Sequence, residues 1–123
     1  VAVIVEGLNV GFVQKAVNLF CDALKIDVPN IHIFSDETIR PNGACYRADD
    51  NDFMIALKER DLGQMMVTLA HEMVHVKQYI CDGLSEQFDN SIPYMERWWE
   101  KEAFAKEVDL MKLLIAAVEN GEI

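Results

Sequence analysis

From Asn9 to about Ile26, the apolar residues Val10, Val13, Val17, Leu19, Phe20, Ala23 and Leu24 recur at helical spacing, which predicts an amphipathic helix with Asn9 as its N-cap. Val28-Pro29-Asn30 breaks that period, and Ile31-His32-Ile33-Phe34 then alternates as a short strand with His32 and Phe34 on one face. Turn residues at Arg40-Pro41-Asn42-Gly43 lead into Ala44-Cys45-Tyr46-Arg47 and Phe53-Met54-Ile55-Ala56-Leu57. These two runs flank the acidic tip Asp49-Asp50-Asn51-Asp52 and read as a β-hairpin. Helical spacing returns with Leu62, Met65, Met66, Leu69, Met73, Val74 and Val76, where Asp61 can cap the helix and Asp82-Gly83 can stop it. After a polar stretch from Gly83 to Pro93, a last long helix runs from Pro93 to about Glu119 on a stripe that includes Val108, Met111, Leu114, Ile115 and Val118. The expected order is α-β-β-β-α-α. It describes an α+β domain with an N-terminal helix, a small, mostly antiparallel three-stranded sheet, and two further helices.

Composition narrows the picture. The length of 123 residues corresponds to a single domain, 1–123, able to bury about two-thirds of its unfolded surface. The chain is 51% hydrophobic and 26% charged, and no apolar run approaches the roughly 18 residues that span a bilayer, so no membrane partner is expected. Val1-Ala2-Val3-Ile4-Val5 is too short for a signal-peptide core and lacks a basic flank. A net charge of −10 with no Lys/Arg cluster repels a phosphate backbone, which argues against nucleic-acid binding. Cys21, Cys45 and Cys81 are odd in number and show no CxxC spacing, as expected of free thiols in a reducing, cytoplasmic setting. The acidic tip lacks the glycine and distal glutamate of a calcium loop and reads as a solvated turn.

Chemistry enters at Ala70-His71-Glu72-Met73-Val74-His75-Val76. On a helix the i,i+4 spacing puts His71 and His75 on one face, one turn apart, where both imidazoles can reach the same ion. Glu72 lies about 100° round from His71, placed to touch a water in an open metal position without ligating, which makes it the candidate general base. A catalytic zinc takes three protein ligands, so one is still to be found. Glu100 and Glu102 sit in the most aromatic segment, among Trp98, Trp99 and Phe104, where an unpaired carboxylate is costly. At about 100° per residue, only one of them can point squarely at the motif helix. His32 is a weaker candidate ligand, and Cys81, six residues past His75, faces away from the pair.

With His71-Glu72-Met73-Val74-His75 followed by Glu100-Lys101-Glu102-Ala103, the chain resembles zincin metallopeptidases of the gluzincin type. In layout it is most similar to small ImmA/IrrE-type, SprT-like or phage-encoded metallopeptidases. The resemblance implies a minimal zincin-like fold, a Zn²⁺ cofactor, and a third ligand that is a glutamate with a small residue at i+3. Glu100 with Ala103 and Glu102 with Ala105 both fit, Glu100 slightly ahead. The acidic or amide residue frequent at i+4 is absent, since Phe104 and Lys106 stand there. The resemblance also implies an edge strand above the metal, so that the hairpin from Tyr46 to Leu57 would lay out a peptide or protein substrate by strand addition.

The expected activity is therefore zinc-dependent peptide-bond hydrolysis, with His71, His75 and Glu100 or Glu102 on the metal and Glu72 as base. Tyr94 and Arg97 lead the candidates for oxyanion or substrate contact, ahead of Tyr46 and His32. The competing reading is a non-catalytic zincin-fold interaction module, suggested by the small size. A second rival, an acidic mimic of nucleic acid, rests on charge alone.

Overall fold

The structure, a computed structural model, describes residues 3–7, 9–27, 29–84 and 91–123. Its first unit is a β-α-β crossover. Strand β1 (Val3–Val5) feeds helix α1 (Val10–Leu24), which returns the chain to β2 (Asn30–Ser35), parallel to β1 with Val3 opposite Ile31 and Val5 opposite Ile33. A crossover of this kind enforces parallel pairing, because the helix carries the chain back to the end of the sheet where it started. The hairpin β3 (Gly43–Asp49) and β4 (Asp52–Leu57) is antiparallel, and β4 inserts next to β2, again in parallel. The strand order is β1-β2-β4-β3.

Two expectations are corrected here. The sheet has four strands rather than three, because the opening apolar run supplies β1. It is mixed and mostly parallel rather than mostly antiparallel, since two of its three pairings are parallel. The α+β class, the hairpin and the long C-terminal helix stand.

Alternation along the strands decides which face is covered. Ile31, Ile33, Phe53, Ile55 and Leu57 are buried against the helices, while Ile4, Met54 and Tyr46 on the other face are exposed. The helices thus form one layer and the sheet the other. Helix α1 contributes Val13, Ala16, Val17, Phe20 and Leu24 to the core. Asn9 is its N-cap, but its side chain makes no capping bond, and the backbone carbonyl alone accepts from Val13.

Helix α2 (Leu62–Cys81) begins as expected, with the Asp61 carboxylate accepting from the Gln64 N–H at 2.9 Å. It ends at Asp82 and Gly83, whose φ of 74° suits glycine and lets Leu84 fold back, its N–H reaching the Gln78 carbonyl. The last long helix, α3 (Trp98–Glu119), starts later than expected. Pro93 precedes a separate 3₁₀ turn, Tyr94–Glu96, and Arg97 is extended between the two. The polar stretch between Gly83 and Pro93 lies in part outside the described residues.

Helix α3 packs against α2 and α1, and Trp99, Ala103, Leu110 and Leu114 are among its buried residues. Ala103 has no exposed surface, and its small side chain lets the two helix backbones approach. Strand β3, at the sheet edge, lies against α2 so closely that a Cβ on Gly43 would collide with the Thr68 Cγ2 methyl and press Leu57 Cδ2 at 3.3 Å. Gly43→Ala is therefore expected to destabilise the chain by about 1–3 kcal/mol, the usual range for overpacking. Thr68→Ser, which removes the colliding methyl, should recover much of that loss. Urea unfolding of the two single variants and the double variant checks this, and strictly additive effects would contradict the contact.

Candidate metal centre

Helix α2 places His71 and His75 one turn apart on the face that α3 covers, and donor atoms of His71, Glu72 and His75 all lie within 4.8 Å of one another, a group that could hold a metal ion. From α3, one carboxylate oxygen of Glu100 stands 2.9 Å from Nε2 of His71 and 2.9 Å from Nε2 of His75. Three potential ligands therefore converge on one point from two helices. Glu72, His75, Glu100 and Glu107 are each less than a tenth exposed, so the cluster sits at low dielectric, where charged hydrogen bonds are strong.

The outer nitrogen of each ring is also held. Nδ1 of His71 lies 3.2 Å from Glu107 Oε1, and Nδ1 of His75 lies 2.8 Å from Gln78 Oε1. Gln78 is fully buried, and its amide nitrogen donates to the Trp99 carbonyl at 2.9 Å and to Glu102 at 3.0 Å, so its oxygen is left to accept from His75. Each imidazole therefore faces acceptors at both nitrogens, an arrangement that favours its protonated form.

The pKa shifts follow from this arrangement. Burial works against the charged form of both histidines, but the Glu100 carboxylate, with Glu72 nearby, outweighs it and raises them. For Glu100, burial acts upward, but the two imidazoles override it and pull its carboxyl down to about 2. Glu72 is pushed up by burial, with the Glu100 and Glu107 charges adding and the histidines opposing. Tyr94 is pushed up to about 12 by burial and by the Glu100 carboxylate it bonds, so its phenol is a proton donor at neutral pH.

A cavity of about 660 Å³ opens onto the cluster, bounded by β3 residues such as Ala44 and Cys45 on one side and by Tyr94, Trp99 and Phe104 on another. The remaining candidates from the sequence lie as follows. Glu102 turns from the rings to Gln78 and to Lys77, whose Nζ is 3.5 Å away. Arg97 stacks over the Tyr94 ring at 5.5 Å and donates to the Ile92 carbonyl, outside the cavity wall. Tyr46 is exposed on the open face of the sheet, and His32 pairs there with Glu6 at 3.0 Å. Cys81 is exposed, and Cys21, Cys45 and Cys81 are not joined in disulfides.

Gln78 and Glu107 are the residues of the cluster that sequence reasoning missed. A signal for each was present: Gln78 follows His75 by three residues, and Glu107 follows Glu100 by seven, each on the same helix face as its predecessor. No helix among the described residues is long and apolar enough to cross a membrane. Comparison of the chain with protein-family models, with curated proteins and with solved structures gave no match.

The electrostatics predict a pH profile for the metal-stripped chain. Histidines with raised pKa contribute stability that is fully present below their unfolded value near 6.5 and is lost as pH rises through the folded values. Glu100, depressed to about 2 from 4.5, contributes stability present above 4.5 and lost as pH falls toward 2. Thermal unfolding in chelator should thus show a lower Tm at pH 9 than at pH 6, and a second decline in acid. A flat profile between pH 6 and 9 would contradict the His–Glu pairing.

Proposed function

We propose that the chain is a zinc-dependent metallopeptidase of the gluzincin type, in which His71, His75 and Glu100 hold the ion and Glu72 acts as general base. The observation that carries this reading is the convergence of two imidazole Nε2 atoms on one carboxylate oxygen, each 2.9 Å from it, beside a buried glutamate and an open cavity. Ligand atoms about 2.0–2.1 Å from a tetrahedral ion are roughly 3.3 Å apart, so the two N···O separations need to open by only a few tenths of an ångström. Two imidazoles and a carboxylate are a donor set that suits zinc.

When bound, zinc supplies a Lewis acid that acidifies water and polarises a carbonyl. The chain supplies the rest. His71 and His75 would hold the ion through Nε2, while Nδ1 of each ring would stay bonded to Glu107 or Gln78, which would fix the ring planes and make the nitrogens better donors. Glu72 takes the proton of the attacking water and passes it to the leaving amine, and its upward-shifted pKa brings it nearer the value that suits proton transfer at neutral pH. Tyr94, protonated and on the cavity wall, would donate to the developing oxyanion. Glu102 serves outside the ligand set, anchoring the Gln78 amide. The cavity, within the size range of small-ligand sites, weighs against the alternative of a non-catalytic interaction module.

Two measurements test the reading. Zinc content should be about one per chain in the wild type; Glu100→Gln should weaken binding far more than Glu102→Gln, and Glu107→Gln should cost about 10–100-fold in affinity. Full zinc retention by His71→Ala/His75→Ala protein would end the metal assignment. In a broad peptide-library digest, Glu72→Gln should keep its zinc yet lose about 10²–10⁴-fold in hydrolysis. Equal cleavage by the zinc-loaded variant would refute Glu72 as the base.

A further inference from the structure

Resting on the peptidase reading, we infer that Arg60 selects substrates that carry a carboxylate on the C-terminal side of the bond cleaved. The cavity is polarised. Glu72, Glu100 and Glu107 are the carboxylates on its wall, and Arg60 is the only lysine or arginine among the described residues lining it. The Arg60 guanidinium donates through one nitrogen, Nη2, to the Gln64 carbonyl at 3.2 Å and to the Thr68 hydroxyl, which fixes it against the first turns of α2. Among the described residues no carboxylate forms an ion pair with it. A cation that is held in place with no carboxylate of the described residues paired to it, on a chain of net charge −10, is set to receive an anion from outside.

The direction of the cleft says which part of a peptide reaches it. Gly43 at the start of β3 abuts Thr68, and Arg47 further along β3 donates to the Tyr79 carbonyl at 3.5 Å, so β3 and α2 run the same way along the cavity. The edge of β3 away from β4 pairs with no described strand. A peptide adding there in the more stable antiparallel sense runs opposite to β3, which brings its C-terminal half past Gly43 toward Arg60. Thr68 precedes the middle of the His71–His75 pair by about five residues, roughly 7.5 Å at 1.5 Å per helical residue. At roughly 3.3 Å per strand residue, the guanidinium meets the peptide about two to three residues beyond the scissile bond. An Asp or Glu side chain at that position, or the free C-terminus of a peptide ending there, offers the same carboxylate.

The test uses peptides of one core sequence with Glu or Gln at each of the positions following the cleaved bond, each made with a free C-terminal carboxylate and as the carboxamide. The wild type should favour Glu over Gln at the second or third position, or the carboxylate over the carboxamide where the peptide ends there, by about tenfold or more in kcat/KM. The two arms separate side-chain from terminal recognition. In Arg60→Met that ratio should collapse toward unity, and Arg60→Lys, which keeps the charge without the fork, should retain part of it. Thermal unfolding checks that each variant is folded. The same peptides, labelled and titrated into Glu72→Gln protein with and without Arg60→Met, read the preference as binding without any turnover. A preference for carboxylates that Arg60→Met abolishes upholds the inference, even if no peptide is cleaved, in which case the peptidase reading alone fails. Equal use by the wild type of Glu and Gln and also of carboxylate and carboxamide, a preference that survives Arg60→Met, or no binding of either peptide class overturns it.

Discussion

A single carboxylate oxygen governs this molecule. Glu100 Oε1, 2.9 Å from both Nε2 atoms, joins helix α3 to the two histidines of α2, and everything at the site depends on how closely those helices approach. Ala103 makes the approach possible, and Trp99, Leu110 and Leu114 fix the rotation of α3 that turns Glu100 and Glu107 inward together. Burying so many ionisable groups is costly unless each is paired, and here each ring nitrogen of His71 and His75 has an acceptor while Gln78 bridges to the α3 backbone. The network therefore makes helix packing and ring orientation a single event.

The sheet supplies the other wall. Strand β3 is the edge strand, and Gly43 lets it lie against α2 at Thr68 with no room for a side chain between them. That close fit puts the outer edge of β3, which pairs with no described strand, beside the cavity that leads to Glu72. The parallel core β1-β2-β4, buried on one face by α1 and α2, is the platform that holds the edge strand in register. The charges follow the same geometry, with carboxylates gathered around the histidines and Arg60 toward the N-terminal end of α2.

Local signals were legible in the chain because they depend on residues close in sequence. The i,i+4 histidines, the Asp61 cap, the Asp82-Gly83 stop and the acidic-tipped hairpin each follow from spacing and turn chemistry, and the fold contains all four. The helix of the motif runs Leu62–Cys81, as its periodicity indicates. The late start of α3 was not legible, because Arg97 is extended through contacts made after folding, among them its bond to the Ile92 carbonyl.

Direction and rotation were left to the tertiary structure. Three residues of β1 are too few to carry a periodic signal, and whether strands pair parallel or antiparallel depends on where a distant helix returns the chain. Glu100 and Glu102 are equivalent in sequence terms, roughly 200° apart around their helix, and only the face of α3 chosen by Trp99 and Ala103 separates the one that meets the rings from the one that meets Lys77. Gln78, Glu107 and Arg60 gain their places in the same way. The sequence by itself determined the motif helix and the chemistry it can carry, because these need only 3.6-residue periodicity. The fold alone decided the partners of that chemistry, because a partner 29 positions away, as Glu100 is from His71, is brought near only by packing.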